Sequence, residues 1–84
     1  MPAVTVTLLT KPGCHLCDDA RAVVEQVVGQ VQDVTFEELS ILDDPVLNAR
    51  YWDEIPVVLL DGAVHTIWRV DPARLRIALQ EASA

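Results

Sequence analysis

The chain opens on a strict alternation: Val4, Val6 and Leu8 are apolar, Thr5 and Thr7 are polar, and Leu9 extends the run. That is the period and composition of a half-buried strand. Thr10-Lys11-Pro12-Gly13 is a turn cluster, after which the period changes. Ala20, Val23, Val24, Val27, Val28 and Val31 recur at helical spacing, with Arg21, Glu25, Gln26 and Gln30 on the other face, which predicts a helix from about Cys14 to Gly29. Valine is a mediocre helix former, so burial of this stripe must hold the helix in place.

Val34 to Leu39 reads as a second strand, completing a βαβ unit whose first two strands run parallel. Asp44 before Pro45 supplies an N-cap followed by proline at the first helical position, opening a short helix through Val46, Leu47 and Tyr51. It stops before Pro56. Val57 to Leu60 reads as a buried strand, Asp61-Gly62 as a two-residue hairpin turn, and Ala63 to Trp68 as the returning antiparallel strand. Asp71-Pro72 repeats the cap signature ahead of a closing helix lined by Leu75, Ala78, Leu79 and Ala82. The predicted order is β-α-β-α-β-β-α, an α/β domain over residues 1–84 with one four-stranded mixed sheet flanked by three helices.

Composition narrows the function. Thirteen acidic against six basic residues leave a formal charge of -7 in a chain of 84 residues, with no basic patch to meet a phosphate backbone or an anionic membrane surface. Nucleic acid and membrane are therefore not expected partners. The longest apolar run, Ile55 to Leu60, contains a proline and falls far short of the ~18 to 20 residues a transmembrane helix requires. The start of the chain has no charged leader and apolar block, so a cytoplasmic location is expected. Nothing in the sequence demands more than a monomer.

The two cysteines, Cys14 and Cys17, stand two residues apart at the predicted strand-to-helix junction. One pair cannot frame a secreted disulfide scaffold, and in a cytosolic chain such a pair is redox-active or metal-binding. The thiolate is the nucleophile and a free cysteine has a pKa of ~8.5, so chemistry near neutral pH needs support for negative charge. A helix N-terminus offers it through unpaired N–H groups and its partial positive charge. Lys11 and a protonated His15 would add to it; Asp18 and Asp19 oppose it. The spacing lets Cys14 attack a substrate disulfide and Cys17 resolve the mixed disulfide. A closed zinc site needs four ligands, and beyond the cysteines only His15 and distant His65 are soft candidates, so thiol chemistry is favoured over metal. For His65 an ordinary packing or surface role is expected.

Lys11-Pro12-Gly13-Cys14-His15-Leu16-Cys17 after the first strand, Ile55-Pro56 before the third, and the Asp61-Gly62 hairpin ahead of the last helix resemble a glutaredoxin-like protein of the thioredoxin-fold superfamily. The likeness spans nearly the whole chain. It implies a thioredoxin-like, glutaredoxin-type fold and a small thiol–disulfide oxidoreductase with Cys14 as nucleophile and Cys17 as resolving thiol. It also implies a cis Pro56 facing the cysteines, with the Ile55 backbone open to an extended substrate and Lys11 three positions before the nucleophile; His15 and Arg69, which the resemblance does not supply, are further candidate substrate contacts. The expected partner is a disulfide-containing protein or a small thiol, with no bound cofactor and an external thiol reductant. This chain departs from glutaredoxins in carrying His15 and Leu16 between the cysteines, Glu54 ahead of Ile55-Pro56, and Trp68-Arg69 where a glycine pair usually stands. The bulk of Trp68-Arg69 and the charge of Glu54 argue against glutathione and for another small thiol or a reductase. Two other classes stay open: a non-catalytic binding module using Trp68, Arg69 and Glu54, and a metal or iron–sulfur protein.

Overall fold

The computed structural model describes residues 4–82. Strands β1 (Val4–Thr10), β2 (Val34–Ser40), β3 (Val57–Leu60) and β4 (Ala63–Ile67) form one sheet in the order β2-β1-β3-β4. The helices are α1 (His15–Val28), α2 (Pro45–Tyr51) and α3 (Pro72–Ala82), and a single 3-10 turn, Ile41–Asp43, precedes α2. β1 runs parallel to β2 and antiparallel to β3, and β3 and β4 are antiparallel, so the sheet is mixed as the sequence predicts.

Period-two alternation along β1 divides the core between its two faces. Val4, Val6 and Leu8 point toward α1 and α3, packing with Ala20, Val24, Val27, Val58, Leu75 and Leu79. Leu9, one residue on, joins a second cluster of Cys17, Ile41, Tyr51, Ile55 and Val57. The end of β1 therefore delivers the chain directly to the cysteine loop.

Local chemistry sets the boundaries. Asp44 accepts from the Val46 and Leu47 N–H groups at 2.9 and 3.4 Å, and Asp71 accepts from Ala73 and Arg74 at 2.9 and 3.3 Å, so each aspartate caps its helix ahead of a proline. Asp61 and Gly62 turn with φ of 49° and 87°, the pair of positive values a tight hairpin requires. The Asp61 carboxylate also accepts from the Thr5 N–H at 2.8 Å, fastening the hairpin to β1.

Several expectations shift. β4 ends at Ile67 and not at Trp68, because Trp68 turns left-handed with φ of 67° after one last bond, from its N–H to the Pro56 carbonyl at 2.8 Å. Such a φ costs a bulky L-residue roughly 1–2 kcal/mol. Val31 lies past the end of α1 yet packs on the core from the following bend. Ala82 and Val46 are exposed, so the buried stripes of α3 and α2 are narrower than the sequence pattern suggests.

Candidate functional site

Gly13, at φ of 79°, swings the chain out of the β1 exit and into α1, leaving Cys14 as the N-cap residue. The Cys14 sulfur accepts from the Cys17 N–H at 3.2 Å, in the place a serine or aspartate oxygen takes at an ordinary helix start. The two thiols differ sharply in burial. Cys14 is half-buried, whereas Cys17 is 0% exposed within the cluster of Leu9, Ile41, Tyr51, Ile55 and Val57. Both are free thiols. Burial pushes the Cys17 thiol up to about 11, and its bond to Cys14 acts the same way; a backbone bond from Lys11 and the Arg21 charge oppose this. Cys17 is thus a protonated thiol at neutral pH.

The Ile55–Pro56 bond is cis, and Ile55 belongs to the cluster that holds Cys17 and against which Cys14 packs. The Pro56 carbonyl accepts from the Trp68 N–H at 2.8 Å. Among the described residues neither the N–H nor the C=O of Ile55 has a backbone partner, although the residue is only 8% exposed.

Two clefts flank the cysteine loop, and they divide the remaining predicted residues. One, of about 300 Å³, is lined by Leu16, Asp19, Ala20, Val23, Trp68, Arg69 and Val70. The other, of about 420 Å³, includes Lys11, Asp18, Arg21, Glu38 and Asp43. Lys11 and Arg69 therefore serve different sides of the loop. His15 is exposed at the start of α1 and lines neither cleft. Glu54 is half-buried just ahead of Ile55, its N–H donating to the Tyr51 carbonyl at 2.9 Å. His65 lies mid-strand in β4, outside the Cys17 cluster, and burial first and Arg74 second hold its imidazole below the usual range. It is half-buried. Among the described residues no three His, Cys, Asp or Glu side chains gather as a metal site would need.

The cysteine loop is also held by a polar clamp that the residue pattern does not announce. Glu38 on β2 takes Arg21 through both carboxylate oxygens, at 2.5 and 2.8 Å, and accepts from the Thr10 hydroxyl at 2.9 Å; Arg21 also reaches Asp18 at 2.9 Å. Thr10 ends β1 and Arg21 sits one turn beyond Cys17, so one carboxylate ties the entry of the cysteine loop to its exit. The four-residue spacing of Cys17 and Arg21 was the available signal; the partner 17 residues away was not visible.

That clamp carries a pH prediction. Hydrogen bonding to Arg21, aided by Thr10, holds the Glu38 carboxyl below the usual range despite partial burial. A depressed folded pKa stabilises the protein above the unfolded glutamate pKa of ~4.3, and that contribution is lost as pH falls through the folded value. Glu38→Gln should cost about 1 kcal/mol at pH 7 for a part-exposed bidentate pair, and less at pH 3. Urea unfolding at both pH values checks it; an equal cost at the two would show that the charge contributes nothing.

A parallel β1–β2 pair with a helical crossover, an antiparallel hairpin, and a Cys-x-x-Cys helix start facing a cis proline define a thioredoxin-type fold carrying a dithiol loop. Residues 5–80 match the family model described as glutaredoxin-like domain (DUF836), and the chain belongs to that family. The uncharacterized protein Rv0508 of Mycobacterium tuberculosis (strain ATCC 25618 / H37Rv) is 40% identical over 78 residues, covering 84% of this chain and 77% of its own. The X-ray structure of protein XcR50 from X. campestris superposes with a TM-score of 0.72 at 30% identity, covering 90% of this chain and 96% of its own. A mutant thioredoxin from Halobacterium salinarum NRC-1 shares the fold, with a TM-score of 0.75 at 18% identity over 99% of this chain and 77% of its own. No helix among the described residues is long and apolar enough to cross a membrane.

Proposed function

We propose that this domain is a thiol–disulfide oxidoreductase in which Cys14 is the nucleophile and Cys17 the resolving thiol. The asymmetry of the pair carries the reading: one sulfur is half-buried at a helix N-terminus, and the other is fully buried one turn inside, its own N–H donating to the first at 3.2 Å. Negative charge on the Cys14 sulfur, as attacking thiolate or as leaving group, meets that N–H and the positive end of α1.

The exchange balances in two steps. The Cys14 thiolate attacks one sulfur of a substrate disulfide; the Cys14–substrate bond forms, the substrate S–S bond breaks, and the departing thiolate takes a proton from water. Cys17 then attacks the Cys14 sulfur: the Cys14–Cys17 bond forms, the Cys14–substrate bond breaks, and the second substrate sulfur leaves as a thiol with the proton that Cys17 gives up. Two electrons pass to the substrate, and an external small thiol or a reductase returns them to the protein. A reducing cytoplasm and a monomeric state suit this cycle. Lys11, His15 and Arg69 border the loop as substrate contacts, and the open Ile55 backbone would pair with the substrate chain.

Alkylation tests the reading. Iodoacetamide at pH 7 should label Cys14 and spare Cys17, and prior treatment with a peptide disulfide should protect both by closing the pair. A Cys14 that resists iodoacetamide would sink the proposal and favour the binding module instead.

A further inference from the structure

Trp68 holds a backbone conformation that is ordinary for glycine and unfavourable for a bulky aromatic residue, yet the residue is 53% exposed and so is not retained as core. A strained residue at a site edge is grounds for asking what it does there. Trp68 fastens the proline loop twice: its backbone N–H donates to the Pro56 carbonyl at 2.8 Å, and its indole Nε1–H donates to the Asp53 carbonyl at 3.0 Å. So held, the indole walls the 300 Å³ groove together with Leu16, which stands between the two cysteines, and Val23 and Val70 complete an apolar lining.

The free groups around this groove specify its occupant. Ile55 does not line the groove but lies between the Asp53 and Pro56 carbonyls that Trp68 holds, and its N–H and C=O, without backbone partners among the described residues, call for a C=O and an N–H in extended geometry, which a polypeptide backbone supplies. The apolar walls call for an apolar side chain beside Leu16, the residue that stands between the two cysteines. Asp19 and Arg69 put one charge of each sign on the groove, and among the described residues no ion pair joins them, so selection by charge alone is weak.

Resting on the exchange reading above, we infer that Trp68 is the specificity-determining residue: its indole seats an apolar side chain adjacent to the disulfide cysteine of an extended protein segment, so the domain prefers protein disulfides to glutathione disulfide. The chemistry is the same dithiol-to-disulfide exchange, with the substrate disulfide as oxidant.

The experiment compares kcat/KM of the parent, Trp68→Gly and Trp68→Phe on four disulfides. These are a peptide disulfide with leucine before the cysteine, the same peptide with serine there, glutathione disulfide, and bis(2-hydroxyethyl) disulfide. The parent should favour the leucine peptide by about tenfold over both the serine peptide and glutathione disulfide, the discrimination one apolar contact supports. Trp68→Gly, suited to the positive φ, should bring both ratios near one by slowing the leucine peptide more than the other three disulfides; Trp68→Phe should keep the ratios. Ratios that survive Trp68→Gly, a parent preference for glutathione disulfide, or an equal loss on all four substrates would overturn the inference. Loss of the ratios in Trp68→Phe would also overturn it, by assigning the effect to the Nε1 bond. A parent inert toward all four, hydroxyethyl disulfide included, would sink the exchange reading itself.

Discussion

Cys14→Ser should abolish disulfide reduction, a loss of at least about a thousandfold, because a hydroxyl near neutral pH supplies almost none of the anionic nucleophile a thiol supplies. The serine oxygen can accept the Cys17 N–H and cap α1 as the sulfur does, so the fold should survive and the loss should read as chemistry. Cys17→Ser separates the second step from the first. Cys14 can still attack, but nothing within one turn can resolve it, so a mixed disulfide with the substrate should accumulate and appear as a mass adduct on the intact chain. Equal turnover by parent and both variants would dismiss the dithiol mechanism.

Leu8→Ala should remove a large share of the domain's stability. Leu8 is fully buried in β1, paired with Glu38 on one side and Val58 on the other, and packed against α1 and α3. Truncating such a leucine leaves a cavity and costs about 2–5 kcal/mol. A domain of this length has roughly 4–13 kcal/mol in all at about 0.05–0.15 kcal/mol per residue. Urea unfolding measures the change, with Leu42→Ala as control, since Leu42 is 61% exposed and its removal should move the midpoint little. A Leu8→Ala cost below about 1 kcal/mol would mean the site collapses freely and β1 is not the core strand described above.

Much of the fold was legible because its signals are local. The Val4-Val6-Leu8 alternation, the valine stripe of α1, the Asp44-Pro45 and Asp71-Pro72 caps and the Asp61-Gly62 turn each operate within a few residues, and each stands where the sequence places it. The candidate site was half legible. Cys14 and Cys17 announce themselves by spacing and by their place between a strand pattern and a helix pattern. Their unequal burial comes from Ile41, Tyr51 and Ile55, which lie more than twenty residues further along and pack on Cys17 only once the sheet has closed. Arg21 read as one polar residue among several on the outer face of α1, because its partner Glu38 arrives on the neighbouring strand.

The sequence by itself determined the order of elements, the helix starts, the hairpin and the place of the Cys14–Cys17 pair at a helix start, since backbone periodicity and capping act over about one turn of chain. Only the tertiary structure decided that Cys17 is sealed while Cys14 stays within reach, and that Lys11 and Arg69 face different clefts. It also decided that Trp68 leaves the strand left-handed to bind Asp53 and Pro56, the segment antiparallel pairing of β3 and β4 sets beside it. The physical reason is common to these cases. Burial, cleft shape and long-range hydrogen bonds depend on which distant segments the closed sheet brings together, and no local period records that.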